Sequence, residues 1–260
     1  LYDNKEGYYN RKNPFGKKGD FITAPQISQL FSEMIAIWII STWEIFGKPK
    51  NFNIIELGPG DASLVEVFLK VFERFPEFNS AKNIYLYEKS KKLENSQKKI
   101  LKGKNVYWIK NFKEIKRGPV IFIGNEFFDA IPIKQYKVFR DSYLERKFTY
   151  NKRNEIIETF KNISKPQLKF IKSFKSLKGL QFIEFPMMGL KELQKVIKKI
   201  SKLTGCLLLI DYGYLVPHNI NTLQSVIKHK KNNILKNLGK ADITSHVNFA
   251  LLDEFLLKNK

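Results

Sequence analysis

Apolar residues recur along the chain in two interleaved rhythms. Short apolar runs at Asn53–Leu57, Ile84–Tyr87, Val106–Ile109, Val120–Ile123 and Cys206–Ile210 read as strands. Helical spacing marks Ile27–Phe46, Leu64–Phe75, Leu93–Leu101 and Leu190–Leu203. Ser28 or Thr23 can start the first helix, Gly47 stops it, and Pro76 closes the second. Strands alternating with helices predict an α/β fold, a doubly wound and mostly parallel sheet with five strands visible.

Between Ile133 and Glu184 the rhythm changes. Gln135–Phe139 and Tyr143–Tyr150 alternate around Arg140-Asp141-Ser142, which predicts a hairpin. Lys165–Lys178 reads as helical or irregular, Leu180–Phe185 as a strand, and Asp242–Lys260 as a loop leading into a terminal helix. The boundaries that follow are an N-terminal segment and helix at 1–50, a nucleotide-type sheet domain from 51–132 and 190–260, and an inserted β-rich subdomain at 133–189. Leu1 is not a methionine and the last helix runs to Lys260, so both ends are expected to continue.

Composition narrows this only a little. At 260 residues and 43% hydrophobic content the chain can build one large domain with a sizeable core. The longest apolar run, Met34–Ile40, lies between Glu33 and Glu44 and falls far short of the ~20 residues that cross a bilayer. It reads as a core helix, and no transmembrane segment is expected. The lone Cys206 excludes an intrachain disulfide and is expected to be a buried, inert thiol in a reducing compartment. His218, His229 and His246 have no metal-ligand spacing, so no metal is expected. The formal charge of +21 fits nucleic acid, an anionic membrane, an acidic partner, or lysines on solvated faces. Lysine is dispersed and arginine scarce, which favours the last.

The chemistry gathers at strand ends. Ile54-Ile55-Glu56-Leu57-Gly58-Pro59-Gly60-Asp61-Ala62-Ser63-Leu64 runs strand, glycine turn, helix. Gly58 and Gly60 allow a tight turn and close backbone approach to a ligand, and the N–H groups of the following helix face it. The absence of Gly-Lys-Ser/Thr excludes a Walker loop. The leading Glu56 resembles the acidic-x-Gly-x-Gly turn of class I methyltransferases, although Gly-Pro-Gly alone also suits a plain structural turn. Glu88, after the second strand, can accept both hydroxyls of a ribose, or can be an ordinary strand-end acid beside Lys89. Asn111-Phe112 can hold an adenine. Asn125-Glu126-Phe127-Phe128-Asp129 ends the fourth strand, where α/β sheets react. There Glu126 and Asp129 can grip a guanidinium and accept its proton, and Asn125 can hold the methionine part of the cofactor or the acceptor. Asn125 and Asp129 serve equally as turn formers. Asp211, ending the fifth strand, either faces the same cleft or forms a turn.

Several stretches together resemble one family. They are Gly19–Phe31, Glu56–Gly60, Asn125–Pro132, Asp211-Tyr212-Gly213 and Ala241–Phe249. The resemblance is to MidA-type S-adenosylmethionine-dependent methyltransferases, whose mitochondrial member is a complex I assembly factor and protein arginine methyltransferase. It implies a class I, Rossmann-like fold with S-adenosylmethionine as cofactor. It implies that the Gly19–Pro25 segment, with Gly19, Asp20 and Thr23, closes over the cofactor. Glu56, Gly58, Pro59, Gly60, Ser63, Leu64, Glu88, Asn111, Phe112 and Asn125 are the expected cofactor contacts, and Glu126, Asn125 and Asp129 the methyl-transfer residues. A protein arginine is the implied acceptor, in the mitochondrial matrix of a eukaryote or the cytoplasm of a bacterium. Nucleic-acid methylation, or a non-catalytic assembly role, are the competing readings. Two departures stand out: Ala62 replaces a usual glycine, tolerable if its φ stays negative, and Asn111 stands where an acid is common.

Overall fold

The computed structural model describes Tyr8 and residues 28–140, 142–227 and 229–259. Helix α1 spans Gln29–Ile45, strand β1 Phe52–Leu57, α2 Ser63–Phe72, α3 Pro76–Ala81, β2 Lys82–Tyr87, α4 Lys91–Ile100, β3 Val106–Ile109 and β4 Val120–Asn125. Then follow β5 Lys134–Phe139, β6 Ser142–Tyr150, β7 Ile156–Asn162, α5 Lys165–Lys172, β8 Phe182–Phe185, α6 Met187–Leu203 and β9 Gly205–Ile210. Short strands β10 Gly213–Tyr214, β11 Gln224–Ile227, β12 Lys230–Asn232, β13 Asp242–Thr244 and β14 Val247–Asn248 precede α7, Phe249–Lys258.

The central sheet has the order β3-β2-β1-β4-β9, with every pairing parallel. Its inner strands are apolar on both faces, as helices on both sides require. On β1, Phe52 and Ile54 join a core cluster with Ile39 and Trp43 of α1 and Phe68 of α2. Ile55 and Leu57 join the opposite cluster with Leu193 of α6 and Leu251 and Phe255 of α7. β4 repeats the alternation, with Ile121 and Ile123 on the first side and Val120 and Phe122 on the second. The fold class is therefore α/β with a parallel sheet.

Several expectations are corrected. β9 is an edge strand of this sheet among the described residues, so all six of its residues are half-exposed, Cys206 among them. Partial burial raises the Cys206 thiol's pKa without enclosing it. α1 buries the stripe Ser32, Ile35, Ala36, Ile39, Ile40 and Trp43, leaving Met34, Ile37 and Trp38 exposed. Pro76 opens a short helix of its own, its fixed φ suiting the first turn. Strand β7 went unread because none of its seven residues is buried, so it carries no apolar alternation. It completes an antiparallel sheet in the order β7-β6-β5-β8. A second antiparallel sheet, β12-β11-β13, was hidden by strands of three or four residues. No helix among the described residues is long and apolar enough to cross a membrane.

The two small sheets are tied together by Glu184 of β8. Its buried carboxylate accepts from the Gln135 amide at 2.7 Å, the Thr222 N–H at 3.1 Å, the Leu223 N–H at 3.3 Å and the Thr222 hydroxyl. Glu184 thus fixes the approach to β11 together with Asn219, whose side-chain oxygen accepts from the N–H groups of Gln181 and Phe182. Glu184→Ala is expected to cost about 3 kcal/mol, the scale of two charge-assisted hydrogen bonds lost. An unchanged urea midpoint would contradict this latch.

Candidate active site

The carboxyl ends of β1, β2 and β4 open into a cavity of about 320 Å³. Its floor is the turn after β1. Gly58 and Gly60 both take left-handed backbone, with φ of 64° and 55°. Gly58 donates to the Tyr87 carbonyl at 3.0 Å, which joins the turn to β2. A Cβ on Gly58 would lie 2.8 Å from the Phe127 ring, so only glycine lets the loops after β1 and β4 approach this closely. Ala62 corrects the expectation of a negative φ. Its φ is 71°, because the chain must reverse to enter α2 while Ala62 donates to the Pro59 carbonyl at 2.8 Å. A non-glycine residue pays about 1–2 kcal/mol for this conformation. Asp61 supports the turn by accepting from the Ser63 N–H at 3.1 Å.

Pro59, Ser63 and Leu64 line the cavity with these glycines, and Glu88 enters from the end of β2. Glu88 is 5% exposed; its Oε1 accepts from the Ser90 N–H at 2.7 Å and its Oε2 from the Gln97 amide at 3.1 Å. Asn111 and Phe112 are not brought to this cavity. Asn111 accepts from the Lys113 N–H, capping a short turn, and Phe112 packs between the rings of Tyr87 and Phe122. Gly19, Asp20 and Thr23 lie outside the described residues.

Asn125, Glu126 and Asp129 reach the cavity from the end of β4. Glu126 adopts left-handed backbone, φ 49°, a strain that persists only where the surroundings enforce it. The enforcement comes from β9. Glu126 donates to the Ile210 carbonyl at 2.8 Å, and the Asp211 carboxylate accepts from the N–H groups of Phe128, Asp129 and Tyr212 at 2.8, 3.2 and 2.9 Å. Asp211 is therefore the anchor of the reactive loop. Asn125 Oδ1 and Asp129 Oδ1 are buried with no hydrogen-bond partner.

The cavity's charge opposes that of the chain. Carboxylates from Glu56, Asp61, Glu88, Glu126, Asp129, Glu192 and Asp242 line it against one described lysine, Lys89. Lys89 pairs with Glu192 at 2.9 Å. Burial, with Asp61 and Glu88 nearby, pushes the Glu56 carboxyl up to about 8, and its Oε2 has no partner. Burial and the charges of Asp211, Asp242 and Glu126 raise Asp129 well above the carboxylate range. Burial lifts Asp211 to about 6 against the pull of its backbone donors.

Sequence reasoning missed the far wall, built by Gln224 and Val226 of β11, Asp242 and Thr244 of β13, and Met188 and Glu192 of α6. Only the Ala241–Phe249 stretch carried any signal for it. It also missed Gln97, which nothing in a lysine-rich amphipathic helix distinguishes from a surface residue.

Residues 34–260 match the model of a family described as "Putative S-adenosyl-L-methionine-dependent methyltransferase". The chain belongs to this family. It is 28% identical over 270 residues to the mitochondrial protein arginine methyltransferase NDUFAF7 of Xenopus tropicalis, covering 94% of this chain and 62% of that protein. It is 30% identical over 272 residues to the Caenorhabditis elegans homolog of that protein, covering 95% and 63%. The chain thus spans a little over three fifths of the curated relatives it matches. Its fold superimposes with a TM-score of 0.81, at 19% identity, on a Burkholderia thailandensis protein crystallised with S-adenosyl-homocysteine; the match covers 100% of this chain and 69% of that one.

The Glu56 environment sets a pH dependence. Between the unfolded value of 4.5 and the folded value of about 8, the unfolded chain ionises while the folded one keeps its proton. Stability from this group therefore falls as pH rises through that window, by at most about 1.4 kcal/mol per pH unit, and levels off above it. Glu56→Gln mimics the neutral acid, so its advantage over wild type in urea unfolding is expected to grow from pH 5 to pH 8. A difference independent of pH would show that Glu56 is ionised in the ligand-free fold.

Proposed function

We propose that this chain binds S-adenosylmethionine at the ends of β1, β2 and β4 and methylates an arginine side chain of a protein. The observation that carries the reading is the concentration of buried acids in one cavity of a chain with net charge +21. Such a cavity repels phosphate, which disfavours a nucleic-acid substrate, and attracts organic cations. The cofactor is one, with a sulfonium and an ammonium; a guanidinium is another.

The residues present suit the cofactor. The unpartnered Glu56 and Asn125 oxygens meet the needs of an ammonium, and Glu88 those of ribose hydroxyls. Gly58 and Gly60 offer backbone to a polar ligand without a Cβ in the way, and Ser63 and Leu64 line the cavity at the start of α2, where helix N–H groups lack intrahelical partners. When bound, the cofactor supplies an activated methyl group for in-line displacement. The chain's share is positioning and proton handling. Glu126 and Asp129 hold the guanidinium by charge-assisted hydrogen bonds. Asp129 Oδ1, buried, unpartnered and with raised proton affinity, takes the proton the nitrogen loses on methylation. Asp211 holds the Asp129 backbone from behind, and the Ile210 carbonyl holds that of Glu126.

The arginine acceptor is supported by the relatives' names and by the MidA-type resemblance, which also points to a respiratory complex I subunit as target. The mitochondrial relatives support a matrix location if the source is eukaryotic. The test is transfer of radiolabelled methyl groups into a lysate, with mass mapping of the modified residue. Arginine labelling is expected from the wild-type chain. Glu126→Gln is expected to lose it by about 100-fold, on the scale of a general-base or acceptor-binding group. Full activity in that variant would remove Glu126 from the mechanism, and labelling of nucleic acid instead of protein would overturn the acceptor.

A further inference from the structure

Gln97 is fully buried on α4, beneath the cavity floor and outside its lining. Its amide nitrogen donates to the Gly60 carbonyl at 2.8 Å and to Glu88 Oε2 at 3.1 Å. Its oxygen accepts from the Trp108 indole N–H at 2.9 Å. One side chain therefore joins the glycine turn after β1, the acid after β2 and strand β3.

The donor inventory makes this arrangement directional. An indole N–H can only donate, so Trp108 fixes the Gln97 oxygen toward β3. The amide group is then obliged to face Gly60 and Glu88, both acceptors, and its two hydrogens match the two of them. Glu88 Oε1 is held separately by the Ser90 N–H, the residue that also caps α4 through its hydroxyl to the Leu93 N–H. Both oxygens of Glu88 are thus held as acceptors from behind, and the carboxylate plane is set before any ligand arrives.

We propose that Gln97, oriented by Trp108, is the positioning residue that makes Glu88 a reader of ribose hydroxyls. This rests on the cofactor reading given above. Gln97 touches no ligand; it acts through the angle of the Glu88 carboxylate and its distance from the Gly60 carbonyl. A site committed to accepting from a vicinal diol rejects an analogue that lacks one hydroxyl, because an acceptor then goes unpaired. That rejection is what a misaligned Glu88 loses. Gln97→Glu makes the point chemically: a carboxylate there opposes two acceptors and must keep a proton, which can serve only one of them.

The experiment is calorimetric titration with S-adenosylhomocysteine and with its 2′-deoxyribose counterpart. Wild type is expected to prefer the ribose form by about 10-fold or more, the worth of one hydrogen bond to a charged group. Gln97→Leu is expected to reduce the preference to within about 2-fold. Trp108→Phe keeps the ring, leaves the cavity walls untouched and frees the amide to turn; it is expected to fall between the two. Combining both changes is expected to give no further loss, as coupled residues do. Gln97→Glu is expected to recover affinity as pH is lowered. If the variants keep the wild-type preference, or weaken both ligands equally, the positioning role is overturned while the cofactor reading stands. If wild type binds neither ligand, both are overturned.

Discussion

A buried carboxyl oxygen with no hydrogen-bond partner is a costly arrangement for a fold to hold, and the protein leaves one at Glu56 Oε2 and another at Asp129 Oδ1, where burial drives both acids toward the neutral form. Elsewhere the same chain surrounds a buried acid with lysines. Glu94, 3% exposed, receives Lys91, Lys98 and Lys110 at 3.1, 2.7 and 2.7 Å. Lysine is thus abundant and close, and the cavity excludes it among the described residues save for Lys89. Under the proposed function, a bound cation would relieve the cost of the unpartnered Glu56 Oε2 and Asp129 Oδ1.

The parallel sheet makes that placement possible. All five strands point their carboxyl ends the same way, so the loops after β1, β2, β4 and β9 meet at one edge. Contacts between those loops then fix the geometry. Gly58 accepts the face of Phe127, Asp211 gathers the N–H groups after β4, and Gln97 binds the first loop to the second. The two small antiparallel sheets serve a different end: β11 and β13 close the far wall, and Glu184 holds the segment leading into them.

Legibility in the sequence followed the physics of each element. The inner strands β1 and β4 were visible because burial on both faces demands continuous apolar runs. The glycine turn was visible because a positive φ selects glycine, yet Ala62 shows the limit, since it occupies such a conformation without advertising it. β7 and β12 were illegible because strands half in solvent need no clean pattern. Glu56, Glu88, Glu126 and Asp129 could be named from their places at strand ends, but Glu192, Asp242 and the scarcity of lysine around the cavity could not. That property belongs to three-dimensional packing, in which Glu56 and Asp129 come from separate strands and Asp242 from a distant sheet.

The central claim is that the cavity holds neutral acids that ionise against a cationic ligand. Glu56, with its carboxyl at about 8 in the ligand-free fold, carries a proton at neutral pH and must release it when an ammonium arrives. The direct measurement is calorimetric binding of S-adenosylhomocysteine at pH 7 in buffers of differing ionisation enthalpy. Net release of about one proton per ligand is expected, shrinking as pH rises past the Glu56 value. Tight binding with no proton released would contradict the account.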